Sequence, residues 1–384
     1  MKAAAAGAAR AMERELDELS LRIHANPELG HHEHRAVGWC REVLERRGFT
    51  FEIVPGVETA FVATLRGRGD GPTIGFLAEY DALPGVNHGC GHNLIAASAV
   101  GAGLCLAELA SDLPGTIKVF GCPAEELGSG KPMMISAGAF KGVDVALTYH
   151  PWHTTALMEV CKGVRLFEFA FKGRPAHASV DQHEGASALD GVLLTYTNLN
   201  ALRQFAQDGV RIHGIVSDGG QAVNIIPEHA ACKIGVRSTD LAELARVGDR
   251  VIDCARAAAL ASGTTLTVTE GFAMAPIRYN AALGEIMADN LRGLGETVDV
   301  WRATASTDFG NVSQVVPSLL FSVATWPANV AFHTHEAAAC AKEPRALRAM
   351  QTAAVAMAQT AIDLATDRAA LQRVVAPAAG QATS

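Results

Sequence analysis

Between Phe76 and Asn93 the chain sets Glu79 and Asp81 ahead of a Pro-Gly turn and then His88-Gly-Cys90-Gly-His92-Asn93. Carboxylate, thiolate and imidazole packed into one loop are the ligand chemistry of a transition-metal site. A lone buried cysteine is common and would imply little. Cys90 and His92 between glycines, straight after an acidic strand end, shift the balance toward metal. Three further loops carry the same chemistry: Pro123-Ala-Glu125-Glu126, His150-Pro-Trp-His153 and, far along the chain, Phe332-His333-Thr-His335-Glu336. Two divalent ions held by Cys, His and Glu could activate one shared water and polarise a carbonyl. A carboxylate beside them can take the water proton and pass it to a leaving nitrogen. Glu125 and Glu126 fit that division of labour, one as ligand and one as base. Standing alone, the pair reads equally as the acidic first turn of the helix that follows. Its place behind a buried strand, with Pro123 between, favours the functional reading.

The elements that must position these loops are an alternation of strands and helices. Thr73 to Tyr80, Thr116 to Cys122 and Val143 to Tyr149 are buried apolar runs, and each ends in ligand-type residues. Open α/β sheets bind ligands outside the carboxyl ends of their strands. That geometry would gather Asp81, Cys90, His92, Glu125, Glu126 and His150. Leu319 to Ala324 is one more buried strand, leading to His333 and His335. Met12, Leu16, Leu19 and Ile23 recur at helical spacing over residues 8 to 26, and Pro27 follows. His31, His32, Glu33 and His34 resemble a metal cluster, but their place at the start of another amphipathic helix fits a solvated turn better. From about Gly163 the pattern changes. Val164 to Lys172 alternates, 184 to 207 and 239 to 261 read as helices, and further strands lie at 210–217, 229–237 and 264–269. This is an α+β unit inserted into an α/β domain with a largely parallel sheet. The expected division is 1–162 with 276–384, and 163–275.

Bulk composition narrows the function classes. A chain of 384 residues is long for one core, so two domains are expected. Net charge is −8 and no Lys/Arg cluster stands out, which argues against a nucleic-acid partner. The eight cysteines show no disulfide-framework spacing, as in a reducing compartment. No apolar run reaches the ~20 residues of a membrane span. The Ala-rich start runs into Arg10 and Glu13, which suits a helix start rather than an export signal. A cytoplasmic location is the expectation.

A set of motifs in order carries a resemblance over nearly the whole length: Asn26-Pro-Glu-Leu-Gly30, Ala78-Glu-Tyr-Asp-Ala-Leu-Pro84, Gly89-Cys-Gly-His-Asn93, Pro123-Ala-Glu-Glu126, His150-Pro151, Gly173-Arg-Pro-Ala-His-Ala178, Gly219-Gly-Gln-Ala-Val-Asn-Ile-Ile-Pro227, Ser306-Thr-Asp308 and Phe332-His-Thr334. The chain resembles the two-metal amidohydrolases of the aminoacylase and glutamate-carboxypeptidase superfamily, above all the subgroup of aminobenzoyl-glutamate and indole-acetyl-amino-acid hydrolases. The resemblance implies a metallopeptidase-like catalytic domain and a lid and dimerisation domain. Cys90, His92, Glu126, His150 and His333 would be the metal ligands, with His335 a rival for the last place. Glu125 would be general base and later acid, and Asp81 would orient a ligand. His177 of the lid would stabilise the oxyanion, often in the partner's site. Asn224 would contact substrate, and Arg237 is a weaker candidate for a substrate carboxylate. Where many relatives have His-x-Asp this chain has Glu79-Tyr-Asp81, and Cys90 compensates. Thiolate favours zinc; manganese, cobalt or nickel also fit.

The function expected is hydrolysis of the amide C–N bond of a small N-acyl or N-aroyl amino acid or dipeptide-like substrate by a homodimer. A ring-deaminating hydrolase would use the same site. A non-catalytic metal-binding protein would have no need of Glu125.

Overall fold

The structure is a computed structural model that describes residues 1–302 and 305–376. The described residues divide into two compact units: 1–160 with 278–302 and 308–376, and 161–277 with 305–307.

The first unit is built on a mixed sheet of eight strands: β1 (Thr50–Ile53), β2 (Phe61–Arg66), β3 (Thr73–Glu79), β4 (Thr116–Cys122), β5 (Val145–Tyr149), β6 (Ala156–Val160), β11 (Asp299–Arg302) and β12 (Ser318–Ser322). Their order is β1-β2-β4-β3-β5-β12-β6-β11. The centre is parallel, with β4, β3, β5 and β12 side by side. β1 and β2 join antiparallel on one side, and β6 turns antiparallel to β12 on the other. A strand covered on both faces needs apolar side chains at every position. Ile74 to Ala78 is buried throughout, as its unbroken apolar run predicts, and Glu79 at the strand end is buried with it.

Helix His92–Ala107 packs against strand β3 and against the helices Glu13–Ala25 and Pro344–Thr366. His92–Ala107 is apolar all round and buried from His92 to Leu106. Its small residues allow close packing: a Cβ on Gly101 would lie 2.8 Å from Leu16 Cδ1 and 3.1 Å from Ala354 Cβ. The first helical stretch is two helices, Lys2–Ala11 and Glu13–Ala25, where residues 8 to 26 read as one. None of the helices among the described residues is long and apolar enough to cross a membrane.

The second unit is an antiparallel sheet of β7 (Gly163–Lys172), β8 (Arg211–Asp218), β9 (His229–Ser238) and β10 (Thr265–Met274), ordered β10-β7-β9-β8. Phe167, Phe169 and Phe171 alternate inward, as a strand with one covered face requires. They form one core with Val192 and Leu199 of helix Ala188–Arg203 and Leu244, Val247 and Val251 of helix Leu241–Ser262. β8 is an edge strand whose Ile215 and Val216 are exposed.

Candidate metal centre

Strands β3, β4 and β5 all end at the same side of the first sheet, so the loops that follow them converge. Each carries its polar residues just past the strand end, where the ladder no longer fixes the backbone. Gly91 makes the first loop possible. It sits at φ +77 and caps the His92–Ala107 helix. A Cβ there would lie 2.9 Å from Pro151 and 3.2 Å from Trp326. Cys90 and His92 therefore flank a residue that must be glycine.

Three overlapping groups result: Cys90, His92 and His150; Cys90, Glu126 and His333; and His92, Glu125 and Glu126. In each, one ligand atom per residue lies within 4.8 Å of the others. Cys90 Sγ is 3.5 Å from His150 Nε2, and His333 Nε2 is 3.5 Å from Glu126 Oε1. His92 Nε2 stands 3.9 Å from carboxylate oxygens of both Glu125 and Glu126. The His333 loop is docked by its N–H on Gly89 O at 3.1 Å. His335 opens helix His335–Cys340 and joins none of these groups.

The donor set fits cations. His92 Nε2, Glu126 Oε1 and Glu79 Oε2 are buried without a hydrogen-bond partner. Burial of unpaired polar atoms is costly, and metal coordination is one of the few ways to recover that cost. Thiolate, imidazole and carboxylate together suit a transition metal. Burial and the neighbouring Glu126 push the Cys90 thiol well up, and a cation beside it favours the thiolate instead.

Asp81 organises this set. One carboxylate oxygen receives His92 Nδ1 at 3.0 Å, and the other accepts the Glu126 N–H at 3.1 Å. The first contact fixes the ring so that Nε2 faces the donors. Burial opposes ionisation of Asp81, but His92 and the backbone N–H groups hold its pKa below the usual value. Burial likewise works against charge on His92, and Asp81 and Cys90 outweigh it, raising its pKa well above the ordinary imidazole. Burial lowers His150 to about 4, which leaves it a neutral donor. Burial and the negative charges of Glu79 and Asp308 push Glu125 well up.

Two features are not legible in the motifs. Lys131 is fully buried between Glu79, at 2.8 Å, and Asp308, which also accepts the Lys131 backbone N–H at 3.0 Å. A lysine after Gly-Ser-Gly reads as solvent-exposed, and only the fold shows its partners. Glu33, expected in a solvated turn, is buried and accepts the Ala124 N–H at 2.8 Å. The solvated-turn reading holds for His32 and His34, which are exposed, and is corrected for Glu33, which lies against a loop 91 residues later that local pattern cannot register. Glu125 and Glu126 themselves lie in a turn that precedes helix Gly130–Ser136 rather than in its first turn.

In the second unit, His177 bridges Ile225, and the Ala178 N–H donates to Asn224 O at 3.1 Å, so His177 and Asn224 are neighbours on two exposed segments. Arg237 lies on β9, where it donates to Ser306 Oγ at 2.7 Å and lies 3.3 Å from His213 Nε2.

Comparison with known proteins agrees with this architecture. The chain is 36% identical over 380 residues to Xaa-Arg dipeptidase of Mus musculus, spanning 94% of this chain and 88% of that one. It is 33% identical over 276 residues to one of the subunits of p-aminobenzoyl-glutamate hydrolase from Escherichia coli, spanning 65% of this chain and 56% of that one. The fold superposes on a dinuclear metal binding peptidase of the M20 family from Bacillus subtilis with TM-score 0.72 at 20% identity, covering 93% and 99% of the two chains. The sequence model described as "Peptidase family M20/M25/M40" matches residues 75–362, and the chain belongs to that family of hydrolases.

Proposed function

We propose that this M20-family hydrolase cleaves the amide bond of an N-acyl or N-aroyl amino acid or of a dipeptide, in a centre held by Cys90, His92, Glu126, His150 and His333. The observation that carries the reading is the convergence of buried, unpartnered donor atoms on His92 Nε2, with the Glu125 carboxylate 3.9 Å away and outside the thiol–imidazole groups. Two divalent ions there, zinc or manganese foremost, would supply Lewis acidity to a water and to the scissile carbonyl.

The chain's own residues do the rest. Asp81 holds His92 and the Glu126 backbone, so the donors need no rearrangement. Glu125 takes a proton from the attacking water and delivers it to the departing nitrogen, so the C–N bond breaks as amine and carboxylic acid form. On the second unit, His177 would donate to the oxyanion, Asn224 would contact substrate and Arg237 would meet a substrate carboxylate. A homodimer through the β8 edge, where Ile215 and Val216 are exposed, completes the proposal.

The relatives named above suggest the panel: Xaa-Arg dipeptides, aminobenzoyl-glutamate, N-acetyl and N-aroyl amino acids, and β-alanyl dipeptides. Amine release is read with zinc- and manganese-loaded protein and with chelator. Chelator-sensitive cleavage of any member supports the reading. A flat panel on protein carrying two metals per chain rejects it, and ammonia release without acyl product would point to ring deamination. Glu125→Gln should keep the metals and lose turnover by about 10²–10⁴-fold. Undiminished turnover would remove Glu125 from the mechanism.

A further inference from the structure

The motif Asn26-Pro-Glu-Leu-Gly30 and the residues after it contribute no donor to the centre, yet they lie across two of its loops. The Ala82 N–H donates to Glu28 O at 2.8 Å, and Leu29 bridges Ala82. This anchors the segment to the loop that carries Asp81. On its other side the segment meets the loop of the proposed base. A Cβ on Gly30 would lie 3.0 Å from Ala124 Cα and Cβ and from Leu127 Cδ1. His31 Nε2 lies 2.8 Å from Ser129 Oγ. Glu33, fully buried, accepts the Ala124 N–H at 2.8 Å.

Ala124 is the pivot of that loop. It has φ +51, the left-handed region that an L-alanine avoids because its Cβ crowds the following carbonyl. Such a conformation persists where the surroundings hold it. The next residue is Glu125, and the N–H after that, on Glu126, is taken by Asp81. Two carboxylates thus grip the alternate N–H groups that flank Glu125. One of them, Asp81, also touches a metal-ligand candidate. The other, Glu33, touches none.

We infer that Glu33 is a positioning residue for the base: by accepting the Ala124 N–H it holds Ala124 in the left-handed conformation that aims Glu125 at the His92–Glu126 donors. The inference rests on the proposed role of Glu125. Without Glu33, Ala124 relaxes toward negative φ and the peptide leading into Glu125 turns. A displacement of about 1 Å in a catalytic group can cost ~10²-fold in rate. Burial and the nearby Asp81 push Glu33 up to about 7, so a neutral amide is a close substitute in this place.

The test compares Glu33→Ala and Glu33→Gln with Glu125→Gln as reference, in zinc- or manganese-loaded protein and with whichever panel substrate is cleaved. Glu33→Ala should lower kcat by about 10–100-fold while KM and metal content per chain stay within about twofold. Glu33→Gln keeps an acceptor for the Ala124 N–H and should restore kcat to within about threefold of the parent. Should Glu33→Ala fail to fold, Glu33→Asp, which withdraws the acceptor by one methylene, carries the same test with a smaller fall. An unchanged kcat in Glu33→Ala overturns the inference. So does a kcat loss that tracks loss of bound metal, or a Gln variant as slow as the Ala variant. Full activity in Glu125→Gln would instead strike the base assignment itself, whatever the Glu33 variants do.

Discussion

The two units hold most of their functional candidates in opposite ways, although His333 of the first unit is exposed like those of the second. In the first, Glu33, Glu79, Asp81, His92, Lys131 and Asp308 are all at most 2% exposed, and each side chain is fixed by another or by a backbone N–H. In the second, His177 and Asn224 are exposed, and their segments are joined by backbone hydrogen bonds from Ala178 N–H to Asn224 O and from Ile226 N–H to Ala176 O. Buried polar side chains that hydrogen-bond within their own unit have their geometry set by folding. Exposed groups are free to be set by what they meet. The difference separates side chains whose geometry folding sets from side chains whose geometry it leaves open.

Breaking the preorganised side should have the largest effect. His92→Ala removes the one imidazole whose Nε2 lies near both Glu125 and Glu126 and whose Nδ1 is bound by Asp81. Metal content by elemental analysis should fall by at least one ion per chain, and turnover should fall with it. A variant that keeps both ions would show that His92 is no ligand. Next is Lys131→Ala, which leaves Glu79 and Asp308 buried without their cation. Removing one member of a buried ionic network costs about 3–5 kcal/mol, because uncompensated charge stays behind. A denaturant melt should show that loss. A cost under about 1 kcal/mol would mean that Glu79 or Asp308 is protonated in the folded chain, in line with the upward push of burial on Asp308, to about 6.

On the exposed side, His177→Ala should leave stability and metal content unchanged and lower kcat by about 10²–10³-fold, the usual cost of one oxyanion donor. If stability fell instead, the contrast between the units would fail, since His177 would then be part of the packing. Sedimentation bears on the same side: a monomer at assay concentration would count against a partner covering the β8 edge and against His177 acting in a second protomer.

The strand-end loops are visible in the sequence because three signals coincide there. β3, β4 and β5 are largely apolar runs, turn residues follow, and metal-type side chains come next. Cys90, His92, Glu125, Glu126 and His150 are therefore readable from the chain alone, and the structure brings them together. β6 (Ala156–Val160) is not legible as a strand: five residues just past Trp152-His153 offer too short a pattern. The helix Arg368–Val375 escapes notice for the same reason. Glu33 and Lys131 escape it for a different one. Their burial depends on partners far along the chain, Ala124 for one and Asp308 for the other. Periodicity reports which face of an element is apolar, and it says nothing about a charged residue that a distant loop has covered.

Glu33 offers the finest test of the contrast, through pH. An ordinary glutamate titrates near 4.5, whereas burial and Asp81 raise Glu33 in the fold to about 7. Below about pH 4.5 the carboxyl is protonated folded and unfolded alike, and its contribution to stability is complete. Between there and about pH 7 the unfolded chain has lost the proton while the folded chain keeps it, so stability falls as pH rises. The slope is at most about 1.4 kcal/mol per pH unit for one group. Asp81, with its pKa lowered, acts with the opposite sign and loses its contribution as pH falls. Total stability therefore mixes the two, and the informative quantity is the difference between the parent and Glu33→Gln in metal-free protein. That difference should move against the parent from about pH 5 to about pH 7 and level off above. A difference flat across the window would mean that Glu33 is ionised throughout, held by the Ala124 N–H and its neighbours more strongly than burial opposes.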